Sequence, residues 1–231
     1  MRIINLKKQL GKFTIDIPYL ELASGCIHGF IGENGSGKTT TAKLIADILK
    51  PDVGEILYDG LDSRSITMTA QKPYMLHTSV YENIIYPLKI RNIKPNEIEI
   101  DTMLKKYDLY EKKKQYARSL SSGEQQKLSL LRTLIFKPEF VIIDETLSNL
   151  SAESLELFEN LILEIQKVRC ITWVLISHQP HIINELCDTV HFFANGRLIE
   201  SGKKEQVFLY SQNPIVKTYV QRQVFGLLKE R

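Results

Sequence analysis

Cysteine is scarce in this chain: Cys26, Cys170 and Cys187 are the only three among 231 residues, far apart and never in C-x-x-C spacing. That argues against a disulfide framework and a zinc site, and favours buried thiols in a reducing compartment. Long apolar runs are missing too; none approaches the roughly 18 residues that a membrane-spanning helix needs. Met1 to Phe13 reads MRIINLKKQLGKF and lacks the apolar stretch of a secretory leader. Neither sign of charge prevails, since 30 Lys and Arg stand against 27 Asp and Glu, a net +3. A nucleic-acid binder usually carries a concentrated basic excess, so no nucleic-acid partner is expected. Low-complexity linkers and internal repeats are also lacking. With 43% hydrophobic and 25% charged residues, the chain reads as one soluble globular domain over 1–231.

Periodicity supplies the outline. Phe13 to Ile17 alternates as a half-buried strand should, and Cys26 to Ile31 is a second strand running into a glycine-rich loop. Ala42, Ile45, Ile48 and Leu49 fall at helical spacing, with Pro51 as the stop. Phe140 to Ile143 is a continuous apolar run, as in a strand buried on both faces of a parallel sheet. A helix follows with Leu155, Phe158, Leu161, Ile162, Ile165 and Val168 on one face, then a buried strand over Thr172 to Ser177. Thr189 to Ala194, the Asn195-Gly196 turn and Arg197 to Glu200 read as a hairpin. The order implies an α/β fold with a helical subdomain inserted at about residues 82–136. Within it, Lys112-Lys113-Lys114 reads as a solvated face.

The strongest motif is Gly32-Glu33-Asn34-Gly35-Ser36-Gly37-Lys38-Thr39, which matches G-x-x-x-x-G-K-[ST] between a predicted strand and a predicted helix. Glycines let successive N–H groups point inward around an anion, and the helix start adds the positive end of its dipole. Lys38 can reach the β- and γ-phosphates, and the Thr39 hydroxyl can ligate Mg²⁺. The motif, with Thr40 behind it, predicts a nucleoside triphosphate site. Such a site needs a carboxylate for the metal and a base for water. The apolar run supplies both at its end: Asp144 for the metal, Glu145 as general base. Taken alone, an Asp-Glu pair after an apolar run is weak; beside the phosphate loop it is strong. A lone His at a strand end is more often structural, but His178 follows the next buried strand and is expected beside the γ-phosphate. His28, His77 and His191 stay unassigned, and His181 is not read as a metal partner.

Leu120-Ser121-Ser122-Gly123-Glu124-Gln125 narrows the class. With the phosphate loop, Gln71, Asp144-Glu145 and His178, it resembles the ATP-binding cassette ATPases of membrane transporters, with every motif in order over about residues 1–210. The resemblance implies a P-loop NTPase core, a mainly parallel sheet with flanking helices, joined to N-terminal antiparallel β strands and the helical insert. It implies that Ser121, Ser122 and Gly123, opening a helix with Leu128, Leu131, Leu134 and Ile135 inward, cap the γ-phosphate of ATP held by a second subunit. Gln71, about fifty residues before that motif, would touch Mg²⁺ and water. Partners would be a second ATPase subunit, in a homodimer or heterodimer, and transmembrane permease subunits. An importer would add a solute-binding protein, and the chain would lie on the cytoplasmic face of the membrane.

Departures from the family pattern matter. Ser122 replaces the first glycine of L-S-G-G-Q, Lys127 an arginine, and Ser151 the last aspartate of D-E-P-T-S-x-L-D. The adenine-stacking aromatic falls by spacing on Leu10, with Phe13 as a substitute. Gln71 to Arg91, where family members meet their transporter, is similar in wording to ATPases of tungstate, molybdate and related oxyanion importers, as is the ending from Gly196 to Val220. Export of a drug or peptide is the alternative. Soluble cassette ATPases of repair or translation, and P-loop kinases, fit less well: there are no sustained heptads and a single cassette, and in a kinase the signature and His178 would be coincidences.

Overall fold

The computed structural model describes residues 1–69, 72–145, 150–177 and 179–225. Strand faces dictate the architecture. Along β6 (Phe140–Asp144), Phe140 and Ile142 point to one side and Val141 and Ile143 to the other, all buried. Along β7 (Thr172–Ile176), Val174 and Ile176 oppose Trp173 and Leu175 in the same way. Strands apolar on both faces must be covered on both, which places them at the centre of a layered fold.

They pair in parallel with β5 (Ile66–Met68), β3 (Ile27–Ile31) and β8 (Thr189–Ala194). β9 (Arg197–Lys203) turns back antiparallel on β8 and meets β2 (Phe13–Glu21) through one parallel bridge. β2 then pairs antiparallel with β1 (Arg2–Leu10), and β1 with β4 (Val53–Leu57). The result is one nine-stranded mixed sheet in the order β4-β1-β2-β9-β8-β3-β7-β6-β5. It is α/β, with the expected parallel centre and antiparallel N-terminal strands.

The sheet curls around α1 (Lys38–Ile45), whose Ala42, Leu44 and Ile45 pack against Ile3, Leu6, Ile15, Ile17, Phe30 and Ile142. The opposite face carries α5 (Ala152–Arg169) and α6 (Pro180–Leu186) through Phe158, Ile162, Ile182 and Ile183. Between β5 and β6 the chain forms α2 (Val80–Lys89), α3 (Glu97–Lys106) and α4 (Ser122–Leu134), joined to that second core through Ile84, Leu104, Leu128 and Leu131. α7 (Lys204–Tyr210) and α8 (Pro214–Val220) follow β9.

Some expectations shift. α1 ends at Ile45: Asp47 adopts φ 59° and Ile48 is 61% exposed, so the chain leaves the helix well before Pro51. Val168 lies in the last turn of α5 and is 82% exposed rather than on the apolar face. Cys187 is buried as expected, but Cys170 is exposed, capping α5 in the left-handed region at φ 44°. The lysine run is only partly solvated: Lys112 pairs with Glu124, and Lys113 with Glu97 and Asp101. No helix among the described residues is long and apolar enough to cross a membrane.

Candidate functional site

The phosphate-loop motif links β3 to α1, and two of its glycines, Gly32 and Gly37, stand where a side chain would clash. Gly32 has φ 137°, and a Cβ there would lie 2.1 Å from the Phe193 carbonyl oxygen. Gly37, at φ 107°, caps α1, and a Cβ would meet Ile15 Cδ1 at 2.5 Å. Because Gly37 has no side chain, no side-chain acceptor caps the first N–H groups of α1. Uncapped donors at a positive helix end suit an anion. Behind the loop, Gly196 N–H donates to Ser36 O (2.9 Å), and Asp16 N–H donates to Gly196 O (2.8 Å). The β8–β9 turn thus braces the loop against β2.

Lys38 is 5% exposed, and its ammonium donates to Gly32 O (2.8 Å), Glu33 O (2.9 Å) and Ser36 Oγ (3.4 Å). Burial pulls its pKa down, with Glu145 and Asp144 acting in the opposite direction. A buried cation held by loop oxygens is a strong electrostatic match for a phosphate chain.

At the C-terminal end of β6, buried Asp144 accepts a hydrogen bond from Thr39 Oγ1 at 3.1 Å, and its N–H donates to Thr69 Oγ1 at 3.1 Å. Burial pushes the Asp144 carboxyl up, and the Thr39 hydroxyl pulls it back. A hydroxyl and a carboxylate in contact are hard oxygen donors of the kind Mg²⁺ takes. Glu145 follows with φ 51°, its N–H donating to Ile176 O at 2.9 Å. A positive φ on a residue other than glycine marks backbone strain of the kind that gathers at functional sites.

Phe13, Asn34 to Thr40 and Glu145 line one cleft of about 660 Å³. Leu10 does not line it; it sits opposite Phe13 in the β1–β2 pairing, 39% exposed. Gln71 and His178 lie outside the described residues. Thr69 carried no signal in the sequence, yet it anchors the chain two residues before Gln71 to the Asp144 backbone.

Ser121, Ser122 and Gly123 are elsewhere: none lines the cleft, and they open α4. Ser121 caps that helix, accepting from Glu124 N–H at 3.4 Å, while Glu124 Oε2 accepts from Ser121 N–H at 3.0 Å. Gly123 lies within the first turn, and a Cβ there would meet nothing within 4 Å. Glycine in a helix costs up to about 1 kcal/mol against alanine. Neither a positive backbone angle nor internal packing demands glycine here. Ser151, at the other departure from the family pattern, caps α5 by accepting from Ser154 N–H at 3.3 Å.

Comparison with known proteins follows the same lines. The family described as "ABC transporter" matches residues 16–148. The tungstate uptake system ATP-binding protein TupC of Peptoclostridium acidaminophilum is 36% identical over 206 residues, covering 86% of this chain and 96% of that protein. The methionine import ATP-binding protein MetN 1 of Listeria monocytogenes is 32% identical over 218 residues, 87% of this chain but 64% of that longer protein. Among solved structures, cbiO1 from Clostridium perfringens, part of the ABC transporter complex cbiONQ, superposes with a TM-score of 0.75 at 26% identity, covering 100% of this chain and 98% of that one. An ATP-binding subunit of an ABC transporter shares the fold at TM-score 0.81 and 21% identity, covering 99% and 96% of the two chains.

Proposed function

This chain belongs to the ABC transporter family as an ATP-binding, ATP-hydrolysing subunit, and on that premise we propose that it powers import of an oxyanion of the tungstate and molybdate type. Lys38, Thr39 and Glu145 gathered in one cleft, with Asp144 hydrogen-bonded to Thr39, carry the ATPase part of the proposal. The oxyanion part rests on the tungstate relative, which matches nearly end to end. Transmembrane permease subunits, and a solute-binding protein, are the partners such a system requires.

In the reading, the loop N–H groups from Gly32 to Thr40 and the Lys38 ammonium hold the phosphates. Thr39 and Asp144, with Gln71, would hold Mg²⁺, which when bound offsets charge on the β- and γ-phosphates. Glu145 accepts a proton from the water that attacks the γ-phosphorus, while Gln71 and His178 orient that water. Ser121, Ser122 and Gly123 of a second copy cap the γ-phosphate, so closure of the pair completes each site. Losing that phosphate removes the charge that joined the copies, and they part. The segment from Gln71 to Tyr86 would carry the movement to the permease at the cytoplasmic face.

Light scattering on Glu145→Gln, with and without ATP, tests the reading. The variant should bind ATP, go from monomer to dimer, and lose about 10²–10⁴ in turnover. Near-normal hydrolysis would overturn Glu145 as the base, and a variant that binds ATP yet stays monomeric would overturn the two-copy site.

A further inference from the structure

The α4 N-terminus presents an electrostatic conflict. Its groups are read above as the cap on a triphosphate, yet Glu124 sits in the first turn beside them. A carboxylate there suits the helix: it completes the capping box and meets the positive dipole end. Toward an incoming phosphate the same charge is repulsive.

Protonation does not relieve it. Both oxygens are engaged, Oε2 by Ser121 N–H and Oε1 by the Lys112 ammonium, and Lys112 above all holds the Glu124 carboxyl below its ordinary value. Lys112 arrives from a turn between α3 and α4, twelve positions away in the chain. Its neighbour Lys113 faces elsewhere, toward Glu97 and Asp101. Exposed ion pairs contribute little to stability, since solvent screens them. At 38% and 24% side-chain exposure this pair is no strong fold-stabilising device, and what it changes is the net charge beside the α4 N-terminus.

We infer that Lys112 is a positioning residue for the composite ATP site, cancelling the Glu124 charge so that the α4 N-terminus stays attractive to the γ-phosphate held by the facing copy. The inference rests on the reading of Ser121 to Gly123 given above.

The test is a double-mutant cycle in the Glu145→Gln background, with ATP-driven dimerisation followed by light scattering. Lys112→Gln should raise the ATP concentration for half-dimerisation about tenfold. Glu124→Gln keeps an oxygen for the cap and should dimerise at equal or lower ATP. Combining them should return the value to within about twofold of the parent, because no charge is left to cancel. Binding of ATP to monomeric Lys112→Gln should stay within about twofold, and all variants should unfold at similar temperatures. A double variant as impaired as Lys112→Gln alone, or a Lys112→Gln variant like the parent, would overturn the inference. Gly123→Asp run alongside separates the two layers. If it dimerises normally, the reading of the α4 N-terminus itself fails; if it is impaired while Lys112→Gln is not, only the role of Lys112 fails.

Discussion

Thr39 Oγ1 donates to Asp144 Oδ1 across 3.1 Å, joining the first turn of α1 to the end of β6, 105 positions later in the chain. Asp144 N–H in turn meets Thr69 Oγ1, so one carboxylate residue ties together the phosphate loop, the central strand and the segment leading to Gln71.

Asp144→Asn retains the size and hydrogen bonding of the side chain but removes its charge. The Mg²⁺ concentration for half-maximal ATPase activity should rise about ten- to a hundredfold, as when a group supporting a bound metal is lost. A magnesium titration of steady-state hydrolysis checks this, and an unchanged midpoint would count against Asp144 as a metal-holding residue.

Phe13, which lines the cleft where Leu10 does not, would substitute for the adenine-stacking aromatic that spacing puts at Leu10. Phe13→Ala should weaken ATP binding by about 1–3 kcal/mol, the usual loss for a base–aromatic stack. Leu10→Ala should bind within about twofold of the parent. Calorimetric titration of both variants distinguishes them.

Acid should destabilise the protein through a buried histidine pair. His28 Nδ1 lies 3.1 Å from His191 Nε2, and His28 Nε2 lies 3.0 Å from Ala23 O, which can only accept. His28 therefore donates from Nε2 and accepts at Nδ1, where the Thr189 hydroxyl also lies at 2.7 Å, and Ser201 Oγ lies 2.7 Å from His191 Nδ1. Burial lowers the pKa of both rings, that of His191 to about 3, with repulsion from His28 adding to it. The unfolded chain binds more protons below about pH 6.5, so stability falls as pH drops from there toward 3. Thermal midpoints should decline between about pH 6.5 and 4.5, above the range of ordinary carboxylates. His191→Gln should flatten that slope; a parent with no slope in this window would refute the assignment.

Ser151 is a helix cap whatever else it does. Ser151→Ala should cost about 1 kcal/mol in urea unfolding, whereas Ser151→Asp, which caps equally well, should stay within about 0.5 kcal/mol.

Features fixed by local chemistry were legible in the sequence. The phosphate loop announced itself because Gly32 and Gly37 occupy angles and spaces closed to other residues, and β6 and β7 did so because strands buried on both faces cannot alternate. Long-range pairings were not legible. The histidine pair joins positions 163 apart and depends on the register of β3 with β8. The lysine run looked solvated because its acidic partners lie in α3 and α4, outside any local window. Spacing alone put the adenine-stacking position on Leu10; that Phe13, its partner across the β1–β2 pairing, is the one beside Gly37 and in the cleft is visible only in three dimensions.

The brace behind the phosphate loop bears on how the protein meets its nucleotide. With Ser36 fastened to Gly196, and Gly196 to Asp16, the loop's conformational freedom is surrendered when the sheet forms. Capture of ATP then requires little further ordering of the chain, and preorganised sites lose less affinity to that step. Encounter should accordingly proceed in a single kinetic phase, its speed set by diffusion and charge. In the proposed cycle the slow, adjustable step is then the meeting of two already loaded copies.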